Sequence, residues 1–435
     1  MEQSLPEKNS KKVINAWCSY DIANSAYSLS ISTAIFPIYY SAVMPKTVSF
    51  LGSSFVNTVL LDYAIAFGYF IIVFLTPLLS GIADLCGYRK RFMQMFTILG
   101  SLSCIGLYWF SSDNYLLGII LPATAVIGFA GSLVYYNSFL PIIATKDKHD
   151  KISARGFMFG YAGSMLLLII NLITIMKPEL FGFVDQDGKG DSGSASRFAF
   201  LTVGFWWLII GSISISFLKE YPSKIAFRTR ILSNGFKEIL SVFKQVRTMP
   251  VLSGFLLAFF FLSTGVQTII MVAALFGSAE LGIDSTKLIA TILIIQVVAI
   301  FGAWVFGKVS TRMGNKFSLM TMLIIWILIC VSAYFVTNEI QFFILGGCVG
   351  LVMGGIQSQA RSTYAKLIPD TTTDTASFFS FYDITEKVAI VVGMFGFGFV
   401  QHLTGSMRNS ALFLGILFLL SLVIVAFSNL KKVRS

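Results

Sequence analysis

Long apolar stretches alternate with short polar loops along the whole chain. A helix needs about 20 predominantly apolar residues to cross a hydrocarbon core of roughly 30 Å, and twelve stretches approach or exceed that length. They lie at about residues 20–42, 58–82, 92–111, 115–141, 155–176, 197–218, 251–275, 286–307, 316–337, 340–362, 377–401 and 410–429. The pattern predicts an all-α membrane protein with twelve transmembrane helices, here called predicted helices 1 to 12.

Two loops about half a chain apart share a second pattern. Each follows an apolar run, turns at a glycine and ends in basic residues before the next apolar run. The positions concerned are Asp84, Gly87 and Arg89 in the first loop, and Arg312 and Gly314 in the second. An internal repeat of this length in a membrane chain is typical of secondary transporters. We therefore predict two pseudo-symmetric six-helix bundles.

The two loops differ at one position that matters for conformational change. Asp84 in the first loop corresponds to Thr311 in the second. A carboxylate at this place can hold basic groups or a helix N-terminus in one conformation, whereas a threonine carries no such charge. We expect both loops to act as conformational latches and the first latch to be the stronger one.

The composition and the distribution of charge support a membrane protein. Hydrophobic residues make up 56% of the chain and charged residues only 12%, which excludes an ordinary soluble domain. Of the 32 lysines and arginines, 25 lie on the side that holds both termini, 6 lie on the opposite side, and Lys387 lies inside a helix. The positive-inside rule therefore predicts cytoplasmic termini in the plasma (inner) membrane. The net charge of +11 reflects this topology and does not indicate nucleic-acid binding.

The longest cytoplasmic loop divides the chain. The predicted domains are an N-terminal bundle at 1–218, a linker at 219–250 and a C-terminal bundle at 251–435. Apolar residues of the linker recur at helical spacing between basic ones, at Phe236, Ile239, Leu240, Phe243 and Val246. Ser233 is expected to cap this helix and Pro250 to close the segment. We predict an amphipathic helix that lies on the inner membrane face and tethers the halves; a specific lipid- or partner-binding role is the alternative.

Sequence motifs for nucleotide, metal or covalent chemistry are not apparent. The glycine-rich stretches lie within apolar helices and lack a phosphate-binding lysine, and the five cysteines show no metal or disulfide spacing. We therefore predict no cofactor and no metal, and we do not expect an enzyme or an ATP-driven pump.

Charged and amide side chains gather in predicted helices 1, 4, 10 and 11. Ionisable groups inside a membrane are costly unless they face protein or water, so these helices are expected to line a central cavity. In predicted helix 1, Asp21, Asn24 and Ser25 fall on one face. We interpret this face as a cavity wall on which Asp21 binds a solute amine or a proton. The alternative is that Asp21, in the first turn, caps the helix at the cytoplasmic surface.

Predicted helix 11 carries three charged residues close together. Asp383 and Lys387 stand four positions apart and can pair, which leaves Glu386 without an obvious local partner. Two acids beside one base form a site whose charge changes with one proton. We therefore interpret the group as functional, because three buried charges are a poor way to gain stability. A structural salt bridge to a neighbouring helix is the alternative.

Predicted helices 10 and 4 supply further polar groups. Small residues recur every four positions in predicted helix 10, at Gly346, Gly350, Gly354 and Ser358, and indicate close helix packing. Beside them, Gln357 is expected to contact solute. Arg361 either binds a carboxylate or anchors at the cytoplasmic interface. In predicted helix 4, Tyr135, Tyr136 and Asn137 offer hydroxyls and an amide; an interfacial tyrosine belt is the alternative.

With these residues identified, the chain resembles the major facilitator superfamily over nearly its whole length. The Asp84…Gly87…Arg89 loop is similar to that superfamily's signature between helices 2 and 3. More specifically, the chain resembles the branch of vacuolar amino-acid effluxers and their bacterial relatives. The stretches that carry this resemblance are 20–27, 36–40, 135–141, 355–357 with 361–362, and 378–382 with Lys387. The resemblance implies the twelve-helix fold and a family of solute exporters.

We predict a secondary active transporter that works by alternating access around a site near the bilayer midplane. The expected solute is small and polar, most simply an amino acid, with proton coupling through Asp21, Asp383 or Glu386. Asp21 or Asp383 would hold the amine of a zwitterion, and Lys387 or Arg361 its carboxylate. The expected partners are this solute, protons and the lipid bilayer, and the protein is expected to work as a monomer. A carrier for sugars, peptidoglycan fragments or drugs is one alternative, and a non-transporting receptor or scaffold is another.

Overall fold

The structure is a computed structural model that describes residues 7–50, 52–220 and 231–430. In it, the first predicted helix is broken. It consists of α1 (Lys11–Ala26), a π-helical segment (Tyr27–Ala34) and α2 (Phe36–Val43). Pro37 lies in the first turn of α2, where its ring prevents a regular continuation of the preceding helix. A π-helical segment that interrupts an α-helix is frequent at functional sites.

The remaining elements of the first half follow in chain order. A hairpin of two antiparallel strands, β1 (Thr47–Phe50) and β2 (Ser53–Val56), connects α2 to the next helix and was not predicted. The helices are α3 (Asn57–Cys86), α4 (Arg89–Gly106), α5 (Leu117–Ser138), the short α6 (Leu140–Ile143), α7 (His149–Met176) and α8 (Ser192–Ser216). Short 3₁₀ turns lie at Leu107–Trp109, Lys146–Lys148 and Pro178–Phe181.

The second half contains the other six long helices. They are α10 (Pro250–Leu281), α11 (Ser285–Met313), α12 (Asn315–Phe335), α13 (Glu339–Leu367), α14 (Thr375–Thr404) and α15 (Met407–Phe427). Ten helices in the described part of the chain are long and apolar enough to cross a membrane. The other two predicted helices correspond to the broken α1–α2 segment and to α14. Together they make up the twelve helices that the sequence predicts, in two bundles.

The predicted linker helix is present as α9 (Ile231–Thr248). Ser233 lies within it, so the prediction that Ser233 caps its N-terminus is wrong. Ile239 and Val246 are buried, and the Phe243 ring lies 5.9 Å from that of Phe381. α9 contacts α3 of the first half and α14 of the second. Its tethering role and the domain limits stay predictions.

The small-residue stripe of α13 packs against α11. A Cβ added at Gly350 would lie 2.6 Å from the carbonyl oxygen of Ile295, and one at Gly354 would lie 2.6 Å from that of Ala299. Any larger side chain would force the helices apart, since real Cβ atoms do not approach so closely. The packing role predicted for these glycines agrees with this geometry.

Candidate functional site

A buried arginine of the second half reaches into the first half. Arg361, on α13, is only 3% exposed. Its Nε donates to Ser153 Oγ (2.9 Å), its Nη2 to the Ser153 carbonyl oxygen (3.0 Å) and its Nη1 to Asn137 Oδ1 (3.3 Å). The Asp21 carboxylate lies 3.4 Å from Nη2 and 3.5 Å from Nη1. Arg361 therefore joins the halves through an ion pair and several hydrogen bonds.

The other side of this ion pair is built by α1 and α5. The Tyr136 hydroxyl donates to Asp21 Oδ2 at 2.6 Å, and the Trp17 ring stacks on the Tyr136 ring. The guanidinium carbon lies 4.7 Å from the Trp17 ring centre and 4.4 Å from that of Phe157. Aromatic faces attract a guanidinium. The arginine is thus held by charge, hydrogen bonds and ring faces together.

Two of the alternatives for these residues are wrong. Helix α1 begins at Lys11, well before the predicted start, so Asp21 lies about three turns inside it and does not cap it. Asp21 and Arg361 are both buried, so Arg361 is not an interfacial anchor. The five N–H groups of its guanidinium meet five contacts with the first half. A solute carboxylate would have to displace one of them.

A polar group next to this pair completes the predicted face of α1. Asn24 is 2% exposed, and its Nδ2 has no hydrogen-bond partner among the described residues. The Ser25 hydroxyl, also on α1, lies 3.4 Å from Asn24 Oδ1. Farther along the interface, the predicted solute contact Gln357 joins the halves as well, because its Oε1 on α13 accepts a hydrogen bond of 3.0 Å from the Tyr161 hydroxyl of α7. The buried Nδ2 of Asn24 is therefore a donor that no described residue of the chain engages.

A second charged cluster lies on α14, as the spacing of its residues predicts. Lys387 Nζ lies 3.1 Å from Asp383 Oδ1 and 3.3 Å from Glu386 Oε2. Glu386 Oε1 accepts a hydrogen bond of 2.8 Å from Gln267 Nε2 of α10. The expectation that Glu386 has no obvious local partner is wrong, because Lys387 itself contacts it. In addition, α10 supplies an amide that the sequence pattern does not reveal. The Tyr69 ring of α3 lies 5.7 Å from Lys387 Nζ, so this cluster too borders both halves.

The Tyr135 hydroxyl makes no hydrogen bond to either charged cluster in the described part of the chain, and its interaction with Asp383 is electrostatic only. Tyr135 is fully buried, and its ring packs against Phe92 and Phe96 of α4. One residue later, Tyr136 bonds Asp21. Successive helix positions differ by about 100°, so the two tyrosine rings leave α5 in different directions. Of the two predicted tyrosines, the structure therefore brings Tyr136 to the Asp21–Arg361 pair.

Ser153 and Tyr161 were not predicted as site residues, because Ser153 precedes the predicted start of helix 5 at residue 155 and that helix carries few charges. A signal was available in Gly156 and Gly160, which are four residues apart. A Cβ at Gly156 would lie 2.5 Å from Asp21 Oδ2, and one at Gly160 would lie 2.6 Å from Ser25 Oγ. These glycines let α7 approach the polar face of α1.

The first predicted latch meets the start of a second-half helix. Asp84 accepts hydrogen bonds from the backbone amides of Ala376 (3.2 Å) and Ser377 (2.7 Å), in the first turn of α14. It also pairs with Arg89, which donates to the Thr373 carbonyl oxygen. An acid at a helix N-terminus satisfies free amides and complements the helix dipole.

The second loop makes its inter-half contact with other residues. Gly87 and Gly314 both have a positive φ, +65° and +90°, which suits glycine at these turns. The Thr311 hydroxyl bonds the Gly307 carbonyl oxygen of its own helix, and Arg312 is exposed. The predicted positions of the second loop therefore do not form the contact.

An acid from the first half supplies what the second loop lacks. Asp150, the second residue of α7, accepts hydrogen bonds from Ser310 (2.8 Å) and Asn315 (2.8 Å). Lys366 Nζ lies 2.7 Å from its Oδ2. The expectation that the second latch is the weaker one did not include the buried Asp150–Lys366 ion pair. Both residues are far from the second loop in sequence.

These inter-half contacts share one end of the bundles. Asp84 lies near the end of α3, Asp150 at the start of α7 and Arg361 near the end of α13. Because successive membrane helices run in opposite directions, these places lie on the side that holds both termini. The structure is therefore closed on the side that holds both termini.

Replacing Asp84 by asparagine is expected to loosen the start of α14. The change removes the charge that faces the helix N-terminus, and such caps contribute about 0.5–2 kcal/mol. Hydrogen exchange of the Ala376 and Ser377 amides should therefore accelerate by about 2- to 30-fold. Asp370→Asn is the matched control, because Asp370 forms an exposed inter-half pair with Lys146. Unchanged protection in Asp84→Asn would contradict the latch.

Comparisons with known proteins agree with this architecture. The family model described as "Vacuole effluxer Atg22 like" matches residues 9–435. The chain is 35% identical over 423 residues to the uncharacterized MFS-type transporter YxiO of Bacillus subtilis (strain 168), covering 97% of this chain and 95% of YxiO. It is 26% identical to autophagy-related protein 22 of Saccharomyces cerevisiae (strain ATCC 204508 / S288c), covering 82% and 75% of the two chains.

Solved structures show the same fold. The transporter FucP in the outward conformation superposes with a TM-score of 0.69 at 15% identity, covering 96% of this chain and 98% of FucP. The human organic anion transporter MFSD10 gives a TM-score of 0.70 at 12% identity, covering 96% and 100% of the two chains. At this level of identity, the likeness establishes the fold alone.

Proposed function

Because the chain belongs to the Atg22-like vacuole effluxer family of major facilitator transporters, we propose that it moves an amino acid across the membrane by alternating access, coupled to protons. The observation that carries this proposal is the buried Asp21–Arg361 contact between the halves. A charged contact between two bundles is bistable, because its groups are either paired or hydrated. Its closure and opening would expose the central site to one side of the membrane at a time.

The chemistry of the two clusters favours a zwitterion. An amino acid needs a carboxylate for its ammonium group and a cation or amide for its own carboxylate. The carboxylates of Asp21, Asp383 and Glu386 suit the ammonium group of the solute. Lys387 suits its carboxylate, as does Asn24 Nδ2, which has no hydrogen-bond partner among the described residues. In the closed arrangement the guanidinium of Arg361 is fully engaged, so we propose that it closes the site and meets solute only after the halves separate.

The proposed orientation places both termini in the cytoplasm of a cell whose plasma membrane holds the protein. The support is the distribution of basic residues, with 25 on the terminal side and 6 on the other. The closed end of this structure then faces the cytoplasm. A solute would enter this conformation from the outer side and leave from it on the same side.

Flux into proteoliposomes tests the proposal. A panel of labelled amino acids is offered to the purified protein with and without a pH gradient. At least one amino acid should enter with saturable kinetics, and the gradient should change its rate. Liposomes without protein measure the background. Absence of flux for every amino acid would reject the substrate class, and saturable flux of a sugar would assign the chain to the alternative.

A further inference from the structure

The cluster on α14 contains one more acid than base. With Asp383, Glu386 and Lys387 all ionised, it carries one uncompensated negative charge. The side chains of Asp383 and Lys387 are only 6% and 7% exposed, and that of Glu386 is 22% exposed. An uncompensated charge at such a place is costly inside a membrane protein. A cation from outside the chain would remove this cost.

One acceptor of the cluster is free for such a cation. Lys387 Nζ contacts one oxygen of each acid, and Gln267 donates to the other oxygen of Glu386. The second oxygen of Asp383, Oδ2, is buried and has no hydrogen-bond partner in the described part of the chain. An ionised carboxylate accepts hydrogen bonds on both oxygens. The structure therefore leaves one strong acceptor open in a site of net negative charge.

Within the described ranges of the chain, the neighbouring helices do not supply the missing charge. The titratable groups of neighbouring helices that interact electrostatically with the cluster are Tyr69 on α3 and Tyr135 on α5, and Tyr382 does so from α14 itself. Phenols are neutral at physiological pH. Arg361 interacts with Tyr382, but its charge is matched by Asp21.

The Asp21 site differs from the α14 cluster in this respect. Its one acid faces one base, and Asp21 Oδ2 already accepts a hydrogen bond from Tyr136 and contacts Arg361. The pair is neutral as a whole and presents no unmatched charge. Of the two charged clusters, the one on α14 is thus the better place for a cation.

We propose that the Asp383–Glu386–Lys387 cluster is a single-cation site, which a proton and the ammonium group of the solute occupy in turn. The inference rests on the proposed function and adds its coupling. When the ammonium group donates to Asp383 Oδ2 and Glu386, the carboxyl proton leaves to water. The cluster is neutral before and after this exchange. Solute and proton then move in opposite directions, because the site holds only one of them.

Calorimetric titration in two buffers of different ionisation enthalpy counts the protons released per bound solute. The probe is a mixture of neutral L-amino acids, and the same mixture with acetylated amino groups lacks the ammonium. Full-length protein should bind the free amino acids and release up to one proton per bound molecule. Its affinity should fall by up to about tenfold for each pH unit of acidification, as expected when one proton is exchanged. The acetylated mixture should release no proton.

Glu386→Gln should abolish proton release and remove the pH dependence, because the remaining acid and base already neutralise each other. Asp383→Asn provides a second variant in case Glu386→Gln does not fold. Glu280→Gln is the matched control and should release protons like the unaltered protein. Glu280 pairs with Arg408 at the same side-chain exposure of 22%, but outside the cluster.

The outcomes separate the two proposals. Binding without proton release at every pH would overturn the shared site and leave amino-acid transport standing. Equal release in Glu386→Gln, Asp383→Asn and Glu280→Gln would place the proton elsewhere and overturn the assignment. Proton release by sodium chloride alone would identify a metal-cation site and overturn the role of the solute ammonium. If no amino acid binds, the proposed substrate class fails together with this inference.

Discussion

Arg361→Gln is expected to reduce transport by at least about 100-fold, because it leaves Asp21 charged and unpaired between the halves. Removing one partner of a buried ion pair costs about 3–5 kcal/mol. Here the cost falls on the closed conformation alone, since the guanidinium contacts Asp21, Asn137 and Ser153 across the interface. The population of the closed state relative to the open state would fall by about 100-fold or more. Flux in proteoliposomes and hydrogen exchange at residues 153–157 measure the two effects.

Three further variants separate charge from geometry at this pair. Arg361→Lys should restore little, because a single ammonium group cannot occupy the positions of a planar five-donor guanidinium. Asp21→Asn combined with Arg361→Gln should recover part of the closed population, because it leaves no unpaired charge. Arg408→Gln is the control, since its pair with Glu280 joins helices of one half. Transport by Arg361→Gln at the unaltered rate would refute the gate.

Lys387→Ala is expected to abolish transport, by at least about 100-fold, while the protein stays folded in the membrane. Lys387 contacts both acids of its cluster, so its removal leaves the buried Asp383 and the partly buried Glu386 near each other without a cation. Such a site is costly when both acids are ionised. Flux and size-exclusion chromatography of the purified variant check the prediction.

The chain contains a matched control for Lys387. Lys287 also contacts two acids, Glu339 at 2.7 Å and Asp284 at 3.8 Å, but all three side chains are exposed. Exposed ion pairs contribute little, because water and salt screen them, so Lys287→Ala should change flux by about twofold or less. Equal losses of flux in Lys387→Ala and Lys287→Ala would show that the burial of Lys387 does not cause the loss. Normal flux in Lys387→Ala would exclude Lys387 from the site.

Much of the architecture was predictable because a membrane restricts it strongly. The bilayer demands long apolar helices, and the distribution of basic residues predicts their orientation. The repeated loops indicated two related halves, and the spacing of Asp383 and Lys387 indicated their pairing. The start of the first helix was less predictable, since polar residues such as Asn15 and Ser19 precede Asp21. They fit a helix that extends beyond the hydrocarbon core as well as a loop.

The site was predictable in its members more than in its contacts. Asp21, Arg361 and the residues of α14 stood out as charges inside apolar helices. Their partners did not stand out, because Ser153, Tyr136 and Gln267 are ordinary residues at ordinary helical positions. Arg361 and Asp21 are far apart in sequence, and only the docking of α13 against α1, α5 and α7 brings them together. The same docking distinguishes Tyr136 from Tyr135.

The sequence by itself determined the number of helices, the repeat and which ionisable side chains lie in the interior, since each is a property of local composition under the constraint of the bilayer. The tertiary structure alone decided which charges meet. It pairs Asp21 with Arg361, Asp150 with Lys366, and Asp84 with the N-terminus of α14. Among the residues that the structure describes, it leaves one carboxylate oxygen of Asp383 without a hydrogen-bond partner. Coulomb energy depends on the distance and dielectric between groups, and for groups on different helices both are set by how the two halves pack.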